Sequence, residues 1–151
     1  MKVSTRFSDS IHILAFIKIY QEQFPLTSDN IASSIETSPV VIRRLMGQLK
    51  KAGLLTTVHG VADPQLAKPA TDISLYDIFL ASEGNRHLFT IDERTNPDCI
   101  VGGNIQSTLS AYYQQAEVAA AAKLAATSLQ DVIDTILVKQ AQKDMRRQSN
   151  V

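Results

Sequence analysis

The residues whose chemistry is easiest to assign are two hydroxyls followed closely by two guanidinium groups: Thr37 and Ser38, then Arg43 and Arg44. Hydroxyls and free N–H groups at a helix start can donate to a phosphate, and an arginine fork reaches phosphates or the O6/N7 edge of guanine. Other chemistry is sparse. His12, His59 and His87 are scattered, with no pair one helical turn apart, so no zinc site is expected. His12 sits among apolar neighbours and reads as a packed histidine. Cys99 is the one cysteine and so the one candidate redox sensor, as a thiol near a helix start whose pKa would be lowered there. The preferred reading of Cys99 is an inert small side chain. No nucleophile–base signature and no phosphate-binding glycine loop occurs, and an enzyme is not expected.

The elements around the hydroxyls and arginines must hold them on one surface. Ile11, Leu14, Ala15, Ile17 and Ile19 form a helical pattern, predicting helix one over Ser8 to Gln23, capped by Ser8 or Asp9 and closed before Pro25. Ile31, Ala32 and Ile35 predict a two-turn helix from Ser28 to Ile35. Glu36-Thr37-Ser38 breaks it, and Ser38-Pro39 is an N-cap followed by proline in the first turn. Helix three is predicted from Pro39 to Ala52. Ile42, Leu45, Met46 and Leu49 share one face, the arginines lie off it, and Gly53 stands where a left-handed C-cap belongs. A short helix, a three-residue break and a longer helix is the spacing of a helix-turn-helix.

Leu54 to Val58 has strand composition, and Gly60 to Pro64 reads as a turn, after which Gln65-Leu66-Ala67 can pair back as a two-stranded wing. Ser74 with Asp77 predicts a capped fourth helix from about Leu75 to Ala81. From 82 to 103 the chain reads as loop, with one helical turn near His87 to Thr90. Asn104 to Ala126 has no Gly or Pro and predicts the longest helix. Ser128 with Asp131 caps a last amphipathic helix carrying Leu129, Val132, Ile133, Ile136 and Leu137, and the tail from Lys143 to Val151 is expected to fray.

Length and composition bound the answer. The 151 residues, 44% hydrophobic and 20% charged, fit one globular domain or a small DNA-binding domain with an appended element. No eighteen-residue apolar run and no signal-peptide core is present, so the expected location is cytoplasmic, with no membrane partner. The formal net charge is zero. That average conceals an asymmetry: residues 1–68 hold eight Lys or Arg against five Asp or Glu, a balance of +3, and the remainder holds seven against ten, a balance of −3. Only the first part is suited to a polyanion.

The sequence resembles the Rrf2 family of bacterial regulators, which includes the iron–sulfur cluster regulator, the nitric-oxide-sensitive repressor and the cysteine-metabolism repressor. The stretches that carry the resemblance are Met1 to Arg6, Ile11 to Leu14, Thr27 to Ala32, and above all Ser38 to Met46 continued by Leu49 to Leu55; Leu66 to Pro69 and Ile73 to Ile78 extend it. It implies a dimer acting on a palindromic operator. Two features depart from the family pattern. Ala62-Asp63-Pro64 stands where paired glycines are usual in the wing, and an Asp63 carboxylate at a wing tip would repel phosphate. Cluster-binding members carry three cysteines before the long helix, whereas this chain has Cys99 alone, so no iron–sulfur cluster and no other cofactor is expected.

The fold expected is therefore mainly α with a two-stranded β wing: a winged helix-turn-helix over 1–81, a loop region over 82–103, and a dimerisation helix with a C-terminal helix over 104–151. The expected function is a homodimeric, sequence-specific transcriptional regulator, a repressor, whose partner is double-stranded DNA; its signal is not legible. The DNA-facing set is Thr37, Ser38, Val40, Arg43, Arg44 and Lys50, joined by Thr27, Ser28 and His59, with Ser4, Thr5 and Arg6 as an N-terminal phosphate grip. The stripe Leu109, Tyr112, Tyr113, Ala116, Ala120 and Leu124 is expected to be the dimer interface, because so small a core cannot cover it. The competing class is a protein-interaction module that kept the winged helix and lost DNA binding.

Overall fold

The computed structural model describes residues 4–151, so the Met1 to Val3 part of the resemblance lies outside the described residues. The helices are α1 (Arg6–Tyr20), α2 (Ser28–Ile35), α3 (Pro39–Lys51), α4 (Leu75–Glu83), α5 (Ile105–Ala125) and α6 (Leu129–Ser149), with strands β1 (Leu55–Val58) and β2 (Val61–Leu66) between α3 and α4. A short 3-10 turn at Ala70–Asp72 links the wing to α4. This is mainly α with a two-stranded antiparallel wing, as the sequence predicts.

α1 starts two residues earlier than its sequence pattern suggests. Thr5 occupies the cap position without a side-chain cap bond, and neither Ser8 nor Asp9 caps the helix. Ile13, Leu14 and Ile17 are fully buried and meet Ile31 of α2, Ile42, Leu45 and Leu49 of α3, and Ile78 of α4 in one core. α2 is capped by the Thr27 hydroxyl, which accepts from Asn30 N at 3.1 Å. It ends on Glu36 at φ +60°, after which Thr37 N donates back to Ala32 O at 3.1 Å. That closure makes the break short enough for α3 to leave α2 at once.

The wing differs from the sequence expectation. His59 and Gly60 alone make the turn, Val58 pairs with Val61, and Ala62-Asp63-Pro64 belongs to β2 instead of to a turn. Pro64 is tolerated in the strand because the register shifts between Thr56 and Val58, where its missing N–H breaks no regular ladder, and its ring is buried. Asp63 is accordingly not at the tip, and its carboxylate accepts from Gln65 Nε2 at 3.1 Å.

α6 returns to this core. Leu75 N donates to Thr127 O at 2.9 Å and Leu129 N to Ile73 O at 2.8 Å, which sets the two capping boxes, Ser74 with Asp77 and Ser128 with Asp131, side by side. Leu129 and Ile133 are buried against α1 and the 3-10 turn. Three expectations fail beyond α4. No helical turn forms near His87 to Thr90, because Leu88 N and Phe89 N donate to the Glu117 carboxylate instead of to preceding carbonyls. α5 is not the longest helix, since α6 also has 21 residues. The segment from Lys143 does not fray but stays helical to Ser149: it has no Gly or Pro, is rich in Gln, Lys, Arg and Met, and ends in Arg146 and Arg147, which suit the negative end of the helix dipole.

Candidate nucleic-acid interface

α3 is held as a rigid rod by its caps and its core face. The Ser38 hydroxyl oxygen accepts from Val41 N at 3.4 Å, Pro39 presets the first turn, and Gly53 just beyond the end takes φ +75°. Its buried face is Ile42, Leu45 and Leu49. The opposite face presents Val40, Arg43, Arg44, Gly47 and Lys51, spaced at three to four residues, all exposed; Val40 is 65% accessible. Neither arginine has a hydrogen-bond or ion-pair partner among the described residues, whose ion pairs are Arg6 with Glu83 and His87 with Glu117. Two free guanidinium groups beside an exposed valine and a glycine form a surface that can offer charge, bidentate donors and close backbone approach together.

The other predicted DNA-facing residues are placed less uniformly. Ser38 and Lys50 are exposed and Thr37 half-buried on or beside α3. Thr27 and Ser28 stand at the start of α2, where the Thr27 hydroxyl is engaged as the cap. His59 is exposed at the tip of the wing. Ser4 and Thr5 are exposed, but Arg6 is bound within its own chain: its guanidinium reaches Glu83 Oε2 at 3.2 Å and the Ser4 hydroxyl at 3.2 Å. The sequence reading missed Gly47 and Lys51. Their signal was available, since both fall at helical spacing from Val40 and opposite Leu45 and Leu49.

α5 has no buried residue and packs on α4. The predicted stripe on α5 divides between two sides. Tyr113 turns inward, its ring 5.1 Å from that of Phe89, and Ala120 and Leu124 help line a cavity of about 200 Å³ against Tyr76 and Phe79 of α4. Leu109 is half-buried. Tyr112 and Ala116 remain exposed together with Ala119, one turn on. Glu117 fastens the preceding loop: it accepts from His87 Nδ1 at 3.1 Å and from Leu88 N at 2.8 Å, and these bonds, the His87 one foremost, hold its carboxyl below the usual range.

Cys99 is exposed in the loop before α5, and backbone N–H groups of Gly102 and then Val101 lower its thiol pKa. His12 is half-buried with Nε2 2.8 Å from the Ser34 hydroxyl. No group of three His, Cys, Asp or Glu that could hold a metal occurs among the described residues, and one thiol does not supply the donor set of a cluster. No described helix is long and apolar enough to cross a membrane.

Fold and surface together define a winged helix-turn-helix of the DNA-binding type. The sequence profile of the Rrf2 family, described as iron-dependent transcriptional regulators, matches residues 3–135, and the chain belongs to that family, whose members are transcriptional regulators and not enzymes. It is 37% identical to YwnA, named as an HTH-type transcriptional regulator of Bacillus subtilis (strain 168), over 87% of this chain and 97% of that protein. A crystal structure described as that of a DNA-binding protein is 36% identical and superposes with a TM-score of 0.67 over 85% of this chain and 98% of the other. CymR of B. subtilis, titled the global cysteine regulator, shares the fold at 20% identity, with a TM-score of 0.65 over 89% and 97% of the two chains.

Proposed function

We propose that the protein is a homodimeric, sequence-specific repressor that reads a palindromic operator with α3. The observation that carries this reading is the exposed face Val40, Arg43, Arg44, Gly47 and Lys51, with both arginines free of hydrogen-bond and ion-pair partners among the described residues. Residues 1–81 supply the DNA-reading unit, and α5 supplies the contact between protomers through Tyr112, Ala116 and Ala119, where small side chains let two helices approach closely. Two recognition helices about one duplex turn apart then read both half-sites. Repression follows from occupancy of the operator. No cofactor enters the reading, because Cys99 is the one thiol.

The test is selection of bound fragments from the source genome, followed by binding to the recovered operator and to random duplex. Arg43→Ala with Arg44→Ala should abolish discrimination while leaving the fold intact, each lost base-edge contact costing about 1–3 kcal/mol. A double variant that discriminates as well as wild type removes the arginines from the reading face. A wild type that binds no duplex even at low salt establishes the protein-interaction module instead.

A further inference from the structure

The last four turns of α6 have no counterpart in the winged helix. The family match ends at residue 135, while α6 continues to Ser149, and every residue from Asp134 to Ser149 is exposed. Lys139, Lys143, Arg146 and Arg147 recur at steps of four, three and one, so they share one side of the helix. By helical spacing that side continues the stripe of Leu129, Val132 and Ile136, of which Leu129 is buried, but from Lys139 to Arg147 it is open to solvent.

Apart from the favourable place of Arg146 and Arg147 in the last turn, a solvated helix gains nothing from this arrangement. Lys139 with Lys143, and Lys143 with Arg147, are like charges one turn apart and repel, whereas opposite charges at that spacing would stabilise. Asp144 is the one carboxylate in the segment; it stands three residues before Arg147 but accepts from Gln140 Nε2 at 2.9 Å, and no ion pair to any of the four basic groups forms among the described residues. Residues 139–151 thus hold four basic groups against one acidic, +3, although residues 69–138 hold three against nine, −6.

We propose that this basic face is a second DNA contact, independent of sequence, that grips the phosphate backbone beside the operator; the inference rests on the DNA-binding reading given above. The eight helical steps from Lys139 to Arg147 span roughly 12 Å, and duplex DNA offers a phosphate for about every 1.7 Å of its axis, so all four cations can be matched by phosphates at once. The acidic segment of a second copy is the weaker occupant. Most of its carboxylates are already engaged within their own chain: Asp77 and Asp131 in capping boxes, Glu83 with Arg6, Glu117 with the loop before α5, Asp92 with Arg94 N and Asp134 with Gln130.

The experiment compares the full chain with a variant carrying Lys139→Gln, Lys143→Gln, Arg146→Gln and Arg147→Gln, glutamine keeping the helix propensity. Affinity for random-sequence duplex is followed by fluorescence anisotropy between 50 and 200 mM salt. Four phosphate contacts correspond to a slope of log K on log salt that is shallower by about 3.6 per protomer in the variant, so wild type should lose roughly a hundredfold more affinity across that range. The ratio of operator to random-duplex affinity should not change, and Lys139→Arg with Lys143→Arg should retain the wild-type slope. Helicity and sedimentation of the quadruple variant should match wild type. An unmoved slope overturns the inference, as does a quadruple variant that falls apart into monomers, which would assign the face to the second copy. Loss of discrimination in the arginine variant of α3 beside an unmoved slope here would overturn this inference alone; a wild type binding no duplex overturns both readings.

Discussion

Gly47 sits in the middle of α3 on its exposed face, and a Cβ built there meets nothing within 4 Å. Gly47→Ala should therefore gain the full helix-propensity difference, about 0.8–1.0 kcal/mol, with no steric cost to offset it. For a chain of this size that is a rise of roughly 2–4 °C in Tm. With no side chain at this exposed position, the backbone of α3 is open to close approach by a ligand. Gly47→Gln should fill that space, and by displacing one base-edge contact should weaken operator binding by about 1–3 kcal/mol, roughly five- to 150-fold, while stability rises slightly or holds. Urea unfolding and anisotropy on the operator, both at one fixed protomer concentration because association adds to apparent stability, give the two numbers. Equal operator affinity for Gly47→Gln and wild type would refute the claim that this face of α3 enters the groove. A destabilised Gly47→Ala would refute the claim of open space.

Ala116→Glu with Ala119→Glu places charges on the exposed side of α5, away from Phe89 and α4, so the protomer should stay folded but sediment as a monomer and lose preference for the palindrome over its half-site; a variant that stays dimeric moves the interface elsewhere. Ser128→Ala removes the cap of α6 and should cost about 1 kcal/mol in chemical unfolding. Hydrogen bonds from Ser128, backbone then side chain, hold the Asp131 carboxyl below its ordinary value, so its stabilisation is present above the ordinary carboxylate pKa and fades as pH falls through the lowered one; Asp131→Asn should flatten thermal stability against pH below about pH 5, and an unchanged profile would exclude this group as a source. Gly102→Ala would drive its Cβ into the Asn96 carbonyl, displacing the N–H that lowers the Cys99 pKa, so alkylation at neutral pH should slow relative to wild type, with Cys99→Ser as the silent control.

Local signals carried most of what positions the interface. Ser38-Pro39, the pairs Ser74 with Asp77 and Ser128 with Asp131, and the spacing of Ile42, Leu45 and Leu49 each act within one or two turns, so the starts of α3, α4 and α6 and the outward placement of Arg43 and Arg44 were readable along the chain. The wing was harder, because Asp63-Pro64 is turn-like by composition and becomes strand only through pairing across to β1 and burial of the proline ring.

What the sequence by itself determined is the six helices, the caps of α3, α4 and α6 and the apolar face of α3, because these depend on periodicity and on bonds between near neighbours. What tertiary structure decided is which long-range partner each polar or half-apolar group takes. Arg6, expected in the phosphate grip, pairs with Glu83, 77 residues away; Glu117 gathers the loop of His87 to Phe89; Tyr113 turns to Phe89 while Tyr112 stays outside. Periodicity places a side chain on a face of its own helix, but only the packing of α4, α5 and the intervening loop determines which face is covered, and it is this that divided the α5 stripe into an inner side and an outer one.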